Sequence, residues 1–224
     1  LEDEKFYLEA IKNISSEKED QIMQTFYEFM NLEHIYDSAA EIVKTHVNIY
    51  DNEFQMKFQR SPIHSIESRV KSPQSIIQKL QKKNLEVSVD SAMKNLLDIA
   101  GIRIICCYLS DVYSVAELLM LHDEFKLLKV KDYIKDPKPN GYRSLHIIIN
   151  VPVYTSNSKK YVPVEIQIRT IAMDFWASLE HQLRYKSKNT IPVDLINQLT
   201  ECAEVISDTD VKMQKIFDKI NDMN

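Results

Sequence analysis

The sequence predicts an α/β (α+β) protein, a strand-bearing centre flanked by helices, with helical arms at both ends. Three observations carry this expectation. From Ser15 to Gln59 there is no proline or glycine, and apolar residues such as Ile22, Phe26, Phe29, Ile35, Ala39, Ile42 and Val43 recur at helical spacing. The runs IAGIRIICCY, FKLLKVKDYI, SLHIIINVPVY and YVPVEIQIRT then read as strands. From Ile171 onward the spacing is helical again.

Taken in order, residues 1–14 predict a short separate helix around FYLEAI, and Ser15 or Ser16 followed by Glu17 and Glu19 resembles a capping start for the long helix. Pro62 ends that helix. Ser72 and Pro73 supply an N-cap and a first-turn proline for a helix reaching Lys83, with Ile76, Ile77 and Leu80 facing inward. A helix over residues 111–122 separates the first two strands. YVPVEIQIRT alternates with period two, which puts Glu165, Gln167 and Arg169 on one face. Ile171 to Lys186 predicts a helix, and Pro192 opens a last one through Leu199, Ile206 and Ile220. We divide the chain into an N-terminal helical arm (1–60), a core (61–186) and a C-terminal helix (187–224), together one structural domain.

With 28 basic and 33 acidic residues the net charge is -5, which argues against blanket electrostatic capture of nucleic acid; any polyanion site has to be concentrated. Cys106, Cys107 and Cys202 form no CxxC pair, which reads as a reducing, cytoplasmic compartment. No apolar stretch approaches the roughly 18 residues of a membrane span, and LEDEK has no signal-peptide pattern. No membrane association is expected.

Four constellations carry candidate chemistry. Arg69, Lys71, Ser75, Lys79 and Lys82 or Lys83 surround a helix start, where free amides favour anions; an ordinary solvated basic face is the competing account. Asp98, before one of the two glycines in the chain, suits a hard cation such as magnesium at a strand mouth, and Arg103 suits a phosphate or a base; a helix-to-strand turn with a surface ion pair is the alternative. KVKDYIKDPKPNGY interleaves lysines with tyrosines around an Asn-Gly turn, a composition for phosphate contact and base stacking, or for a hairpin with solvated lysines. Glu165 lies far from Asp98 in sequence, yet one sheet can bring the two together around a metal or leave one as a general base. We expect the two glycines, Gly101 and Gly141, at the two turns that handle ligand.

Other residues are set aside. His122-Asp123 spells a metal-phosphohydrolase dipeptide without its partner ligands and reads as a helix end; His181 reads as a packing or surface histidine. There is no GxxxxGK[ST] loop.

The segments RVKSPQSI, DIAGIRIIC, KVKDYIKDPKPNGYRSLH and VEIQIRTIAMDFWASLEHQLRYK, in this order, resemble the synthetase domain of RelA/SpoT-type enzymes, in particular the stand-alone small alarmone synthetases. The resemblance implies a mixed-sheet, nucleotidyltransferase-like core and a magnesium-dependent enzyme of the bacterial stringent response. Such an enzyme transfers pyrophosphate from ATP to the 3′-hydroxyl of GTP or GDP, giving pppGpp or ppGpp and AMP. It implies that Arg69 and Arg103 sandwich adenine and that Lys71, Ser75, Lys79 and Lys82 hold the ATP phosphates. Asp98 and Glu165 then bind the metal, and Glu165 activates the 3′-hydroxyl beside Gln167. On the acceptor side it implies that Tyr142 stacks on guanine, with Lys131, Lys138 and His146 near the acceptor phosphates. Asp174, where family members often have Asn, suits the N1 and N2 donors of guanine.

KVKD stands where many long members have RxKD, so Lys129 keeps charge without the arginine fork. No hydrolase segment is recognised, and synthesis without hydrolysis is expected. Small family members are typically homotetramers, and the amphipathic faces at 15–59 and 192–222 are candidate interfaces; burial within one chain is the other account of those faces. Two further classes stand beside this reading. One is a non-catalytic nucleotide or single-stranded RNA binding module, an activity the composition allows and we do not predict; the other is a nucleotidyltransferase acting at an α-phosphate.

Overall fold

A computed structural model describes residues 16–186 and 192–223; the helix expected within residues 1–14 lies outside them. Helix α1 (Ser16–Phe58) is followed by β1 (Ile63–Val70), α2 (Pro73–Lys82), α3 (Val89–Asn95), β2 (Ala100–Cys106) and α4 (Leu109–Met120). Then come β3 (Lys126–Asp132), β4 (Leu145–Tyr154), β5 (Lys159–Thr170), α5 (Ile171–Lys186) and α6 (Val193–Asn221). The strands make one five-stranded sheet in the order β1-β2-β5-β4-β3. Only β2 and β5 run parallel; the other neighbours are antiparallel.

The strand alternation sorts side chains onto two faces. Ile102, Ile104, Ile147, Ile149, Val164, Ile166 and Ile168 point to one side and are almost wholly buried. Helix α1 lies across that side, burying Phe29, Leu32, Tyr36, Ala40, Val43 and Val47, and α4 adds Val112, Val115 and Leu119. The segment expected to be an N-terminal arm is therefore also the main cover of the core. The opposite face of the sheet keeps polar residues and forms the floor described below.

Two elements lie outside the sequence expectation. β1 is an edge strand with His64, Glu67, Ser68 and Arg69 exposed, so only a thin apolar stripe marks it. α3 is 7 residues long and starts on a Ser88 cap whose side chain accepts from the Ser91 amide. The cysteines are free: Cys106 is buried, Cys107 half-buried and Cys202 exposed. No described helix is long and apolar enough to cross a membrane.

Helix α6 is fastened to the rest by polar and aromatic contacts. Trp176 Nε1 donates to the Leu199 carbonyl at 2.9 Å, the Ser110 amide donates to Gln214 Oε1 at 2.9 Å, and Tyr108 stacks on Phe217 with ring centres 4.1 Å apart. Thr170 Oγ1 caps α5 by accepting from the Met173 amide and donates to Asp210 Oδ2 at 2.6 Å.

Candidate active site

Register alone gathers most of the candidate residues on the open face of the sheet. Arg69, Gly101, Glu165, Ile148 and Lys129 stand opposite one another across the five strands, and Glu67, Arg103, Gln167, His146 and Lys131 make the adjacent row. Arg69 and Arg103 are thus diagonal neighbours on one face, at the roughly 7–8 Å backbone spacing of such pairs, wide enough for a flat ring between two guanidinium planes. Gly101 corrects the expectation of a ligand-handling turn: it lies within β2, and only Gly141 has positive φ among the two glycines. A methyl group at Gly101 would meet nothing nearer than Arg69 O at 3.8 Å, so the residue leaves open floor between Arg69 and Glu165 instead of relieving strain.

Asp98 precedes β2, beside the start of α2. Lys71 Nζ lies 3.1 Å from its Oδ2 and also donates to its main-chain carbonyl. Lys79 Nζ pairs with the same Oδ2. Burial of the Asp98 carboxyl acts to raise its pKa, but the hydrogen bond from Lys79 with the charge and hydrogen bond of Lys71 outweighs it, and the group is held below the usual range. Ser72 caps α2 by accepting from the Ser75 amide, and its hydroxyl donates to Ser75 Oγ at 3.1 Å. Lys82 is exposed on the last turn of α2 and does not join the Asp98 cluster.

Glu165 sits on β5, paired with Gly101. His146 Nδ1 lies 3.6 Å from its Oε1, and Gln167 Nε2 donates to Oε2 at 3.4 Å. The His146 contact is the main influence holding the Glu165 carboxyl low; burial and the charge of Asp98 push the other way. Two ionised carboxylates therefore share one cleft and repel each other. They fit a hard divalent cation: both Asp98 lysines meet Oδ2, while Oδ1 has no hydrogen-bond partner among the described residues. No cluster of three or more His, Cys, Asp or Glu ligands occurs among the described residues. Magnesium suits such a site, because it takes one or two carboxylates and completes its shell with water and phosphate oxygens.

The loop after β3 is built by Asp132, whose Oδ1 accepts from the amides of Ile134 and Lys135, and by a tight turn in which the Gly141 amide donates to the Lys138 carbonyl at 2.8 Å. Gly141 has φ +86°, and a methyl group there would lie 2.5 Å from Ala203 Cβ on α6. Arg143 Nη1 donates to both the Gly141 and the Ala203 carbonyls, so this turn is clamped to α6. Lys138 Nζ stands 4.7 Å from the ring centres of both Tyr133 and Tyr142, and Lys131 Nζ 5.9 Å from that of Tyr133. His146 is buried, its Nε2 2.9 Å from the Tyr142 hydroxyl.

Arg169, noted in the sequence only as part of a polar face, proves central. It is 5% exposed. Its guanidinium donates to the Tyr142 hydroxyl at 2.6 Å, to Gln167 Oε1 at 3.0 Å and to Asp174 Oδ1 at 2.9 Å. Asp174 also lies 3.7 Å from Arg103, so it joins the two arginines.

Two clefts meet at Arg103. One, about 320 Å³, is lined by Arg69, Lys71, Asp98, Arg103, Glu165 and Gln167. The other, about 340 Å³, is lined by Arg103, Tyr142 and Arg169 with Glu180 and His181 of α5. His181 is exposed at its rim. His122, just past the end of α4, is stacked on Phe125 with ring centres 4.1 Å apart and edges onto His46 at 4.3 Å, in keeping with its reading as a helix end.

Residues 68–190 match the family described as "Region found in RelA / SpoT proteins". The chain is 43% identical over 202 residues to GTP pyrophosphokinase YwaC of Bacillus subtilis, covering 90% of this chain and 96% of that protein. The crystal structure of small alarmone synthetase 2 from Bacillus subtilis superposes with a TM-score of 0.77 at 45% identity, covering 85% of this chain and 99% of that one. Small alarmone synthetase 1 from the same organism, bound to its product pppGpp, also gives 0.77 at 34% identity, covering 85% and 97%. This chain belongs to the RelA/SpoT family and, within it, to the small alarmone synthetases.

Proposed function

We propose that the chain is a GTP pyrophosphokinase. It transfers the β,γ-pyrophosphate of ATP to the 3′-hydroxyl of GTP or GDP and yields pppGpp or ppGpp and AMP. The observation that carries this reading is the pair of clefts meeting at Arg103, with the Asp98 and Glu165 carboxylates in the first and the Tyr142 ring in the second. A module that only captured nucleotide or RNA would gain nothing from two mutually repelling carboxylates among its cations.

In this reading Arg69 and Arg103 hold adenine between their planes, and Lys71, Ser75, Lys79 and Lys82 offset the phosphate charge of ATP. Tyr142 carries the guanine ring, Asp174 takes its N1 and N2 donors, and Lys131 and Lys138 face the acceptor phosphates. Glu165, held by His146 and Gln167, takes the proton of the 3′-hydroxyl as that oxygen bonds to the β-phosphorus and the bond from β-phosphorus to the AMP oxygen breaks. Transfer of this kind asks chiefly for alignment and charge neutralisation, and the lysines around Asp98 supply the latter. Asp98 and Glu165 would hold magnesium, which would neutralise phosphate charge and favour the ionised hydroxyl.

The same reading includes a homotetramer in the cytoplasm. Val205, Met213 and Ile216 stay exposed on α6, as do Tyr27 and Met56 on α1, apolar side chains that an interface between copies of the chain would cover. Three unpaired thiols suit a reducing compartment. Light scattering of the purified chain decides the oligomer: a monomer mass at micromolar concentration refutes it.

The activity test is incubation with ATP, GTP and magnesium, followed by separation of products. AMP together with a guanosine 3′-pyrophosphate is expected, abolished by chelator and restored by magnesium. A folded protein that yields neither product refutes the function.

A further inference from the structure

Five side chains close a ring around the reacting end of the acceptor site. Arg169 Nη2 donates to the Tyr142 hydroxyl at 2.6 Å and to Gln167 Oε1 at 3.0 Å. From Tyr142 the path runs to His146 Nε2 at 2.9 Å and on from His146 Nδ1 to Glu165 Oε1 at 3.6 Å. From Gln167 it runs through Nε2 to Glu165 Oε2 at 3.4 Å.

Arginine can only donate, so Arg169 gives a hydrogen to both the Tyr142 oxygen and Gln167 Oε1. An imidazole that presents its hydrogen to the Glu165 carboxylate carries it on Nδ1, which leaves Nε2 to accept from the Tyr142 hydroxyl. His146 Nε2 is then the accepting nitrogen, and the ring proton rides on Nδ1, the nitrogen that faces Glu165. On the other arm Gln167 accepts through its oxygen, which turns its NH₂ toward Glu165. Both arms start at one guanidinium and end on the same carboxylate, Gln167 as a donor to Oε2 and His146 Nδ1 as a 3.6 Å contact with Oε1.

We infer that Arg169 is a positioning residue for pyrophosphate transfer, and that the Tyr142 hydroxyl, apart from its ring, carries one arm of a directional ring of polar contacts that aims Glu165. The inference rests on the reading of Glu165 as the base and Tyr142 as the guanine platform. It gives the platform a second role, because the side chain that receives the acceptor base also fixes the imidazole behind the carboxylate. The third bond of Arg169, to Asp174 Oδ1 at 2.9 Å, places guanine recognition on the same guanidinium, so base recognition and base alignment share one anchor.

Tyr142→Phe separates the two roles, because it keeps the ring and removes only the hydroxyl. The acceptor dissociation constant, measured by equilibrium binding of GDP, should stay within about threefold, while kcat falls on the order of 10–100-fold from misalignment. Arg169→Lys, which lacks the planar fork, should lower kcat similarly, and the double variant should be no worse than the more damaged single one. Independently of turnover, ¹⁵N spectra of histidine-labelled wild-type protein should show His146 protonated on Nδ1, and Tyr142→Phe should lose that preference. Wild-type kcat in Tyr142→Phe, a loss confined to GDP affinity, or an Nε2-protonated His146 in the wild type each overturns the inference. Absence of guanosine 3′-pyrophosphate from the wild type instead overturns the proposed activity, and the nitrogen spectra still decide the ring.

Discussion

Lys71 and Lys79 both meet Asp98 at a single oxygen, Oδ2, although 27 and 19 residues separate them from it. Two cations on one oxygen hold a local excess of positive charge that a phosphate chain can use. Lys79→Met removes one of them without emptying the helix face. Charge-assisted bonds contribute about 1.5–3 kcal/mol, so the KM for ATP should rise roughly 10–100-fold while the KM for GTP stays near wild type. Initial rates with each substrate varied in turn decide it; an equal rise for both would remove Lys79 from the donor side.

Glu165→Gln keeps the shape of the side chain while removing the proton acceptor. Turnover should fall by about 10²–10⁴-fold, with both nucleotides still bound in equilibrium dialysis. Near wild-type turnover in this variant would mean that another group takes the proton.

Period-two alternation makes much of this site legible in the sequence. VEIQIR announces a strand with Glu165, Gln167 and Arg169 on one side, and the structure puts them there. The long Pro- and Gly-free segment announces α1 to within a residue at each end. What stays hidden is pairing between strands. Arg69 looks like part of a basic helix start until β1 is seen beside β2, because an exposed edge strand carries too few apolar residues to mark itself. The burial of Arg169 is equally silent, since it depends on α5 folding back so that Asp174 reaches the guanidinium. Gly101 misleads for a related reason: in a chain with two glycines each suggests a turn, yet one is floor space in a strand.

Gly141 is the glycine that the backbone requires. At φ +86° an alanine costs about 1–2 kcal/mol, and its methyl group would collide with Ala203 on α6. Gly141→Ala should lower the melting temperature and raise the KM for GTP more than that for ATP, because the turn carries Tyr142. Adding Ala203→Gly should recover the part due to the collision and leave the part due to φ. A double variant no better than the single one would show that the contact with α6 is slack.

Asp210 offers a test of how α6 is held. It is 6% exposed and accepts from Thr170, the cap of α5. Burial pushes its pKa up, and the Thr170 hydrogen bond only partly opposes this. A carboxyl raised in the folded state binds its proton more tightly there than in the unfolded chain. Its contribution to stability is therefore fully present below the ordinary Asp value near 3.9 and is lost as pH rises through the raised native value. Asp210→Asn removes that titration. The stability of the Asn variant relative to wild type should consequently improve between pH 4 and pH 7, whatever the fixed cost of the amide, when both are unfolded with urea at each pH. A relative stability that is flat or reversed across that interval would place Asp210 in contact with water or with a cation, and the buried bond to Thr170 would no longer account for the docking of α6.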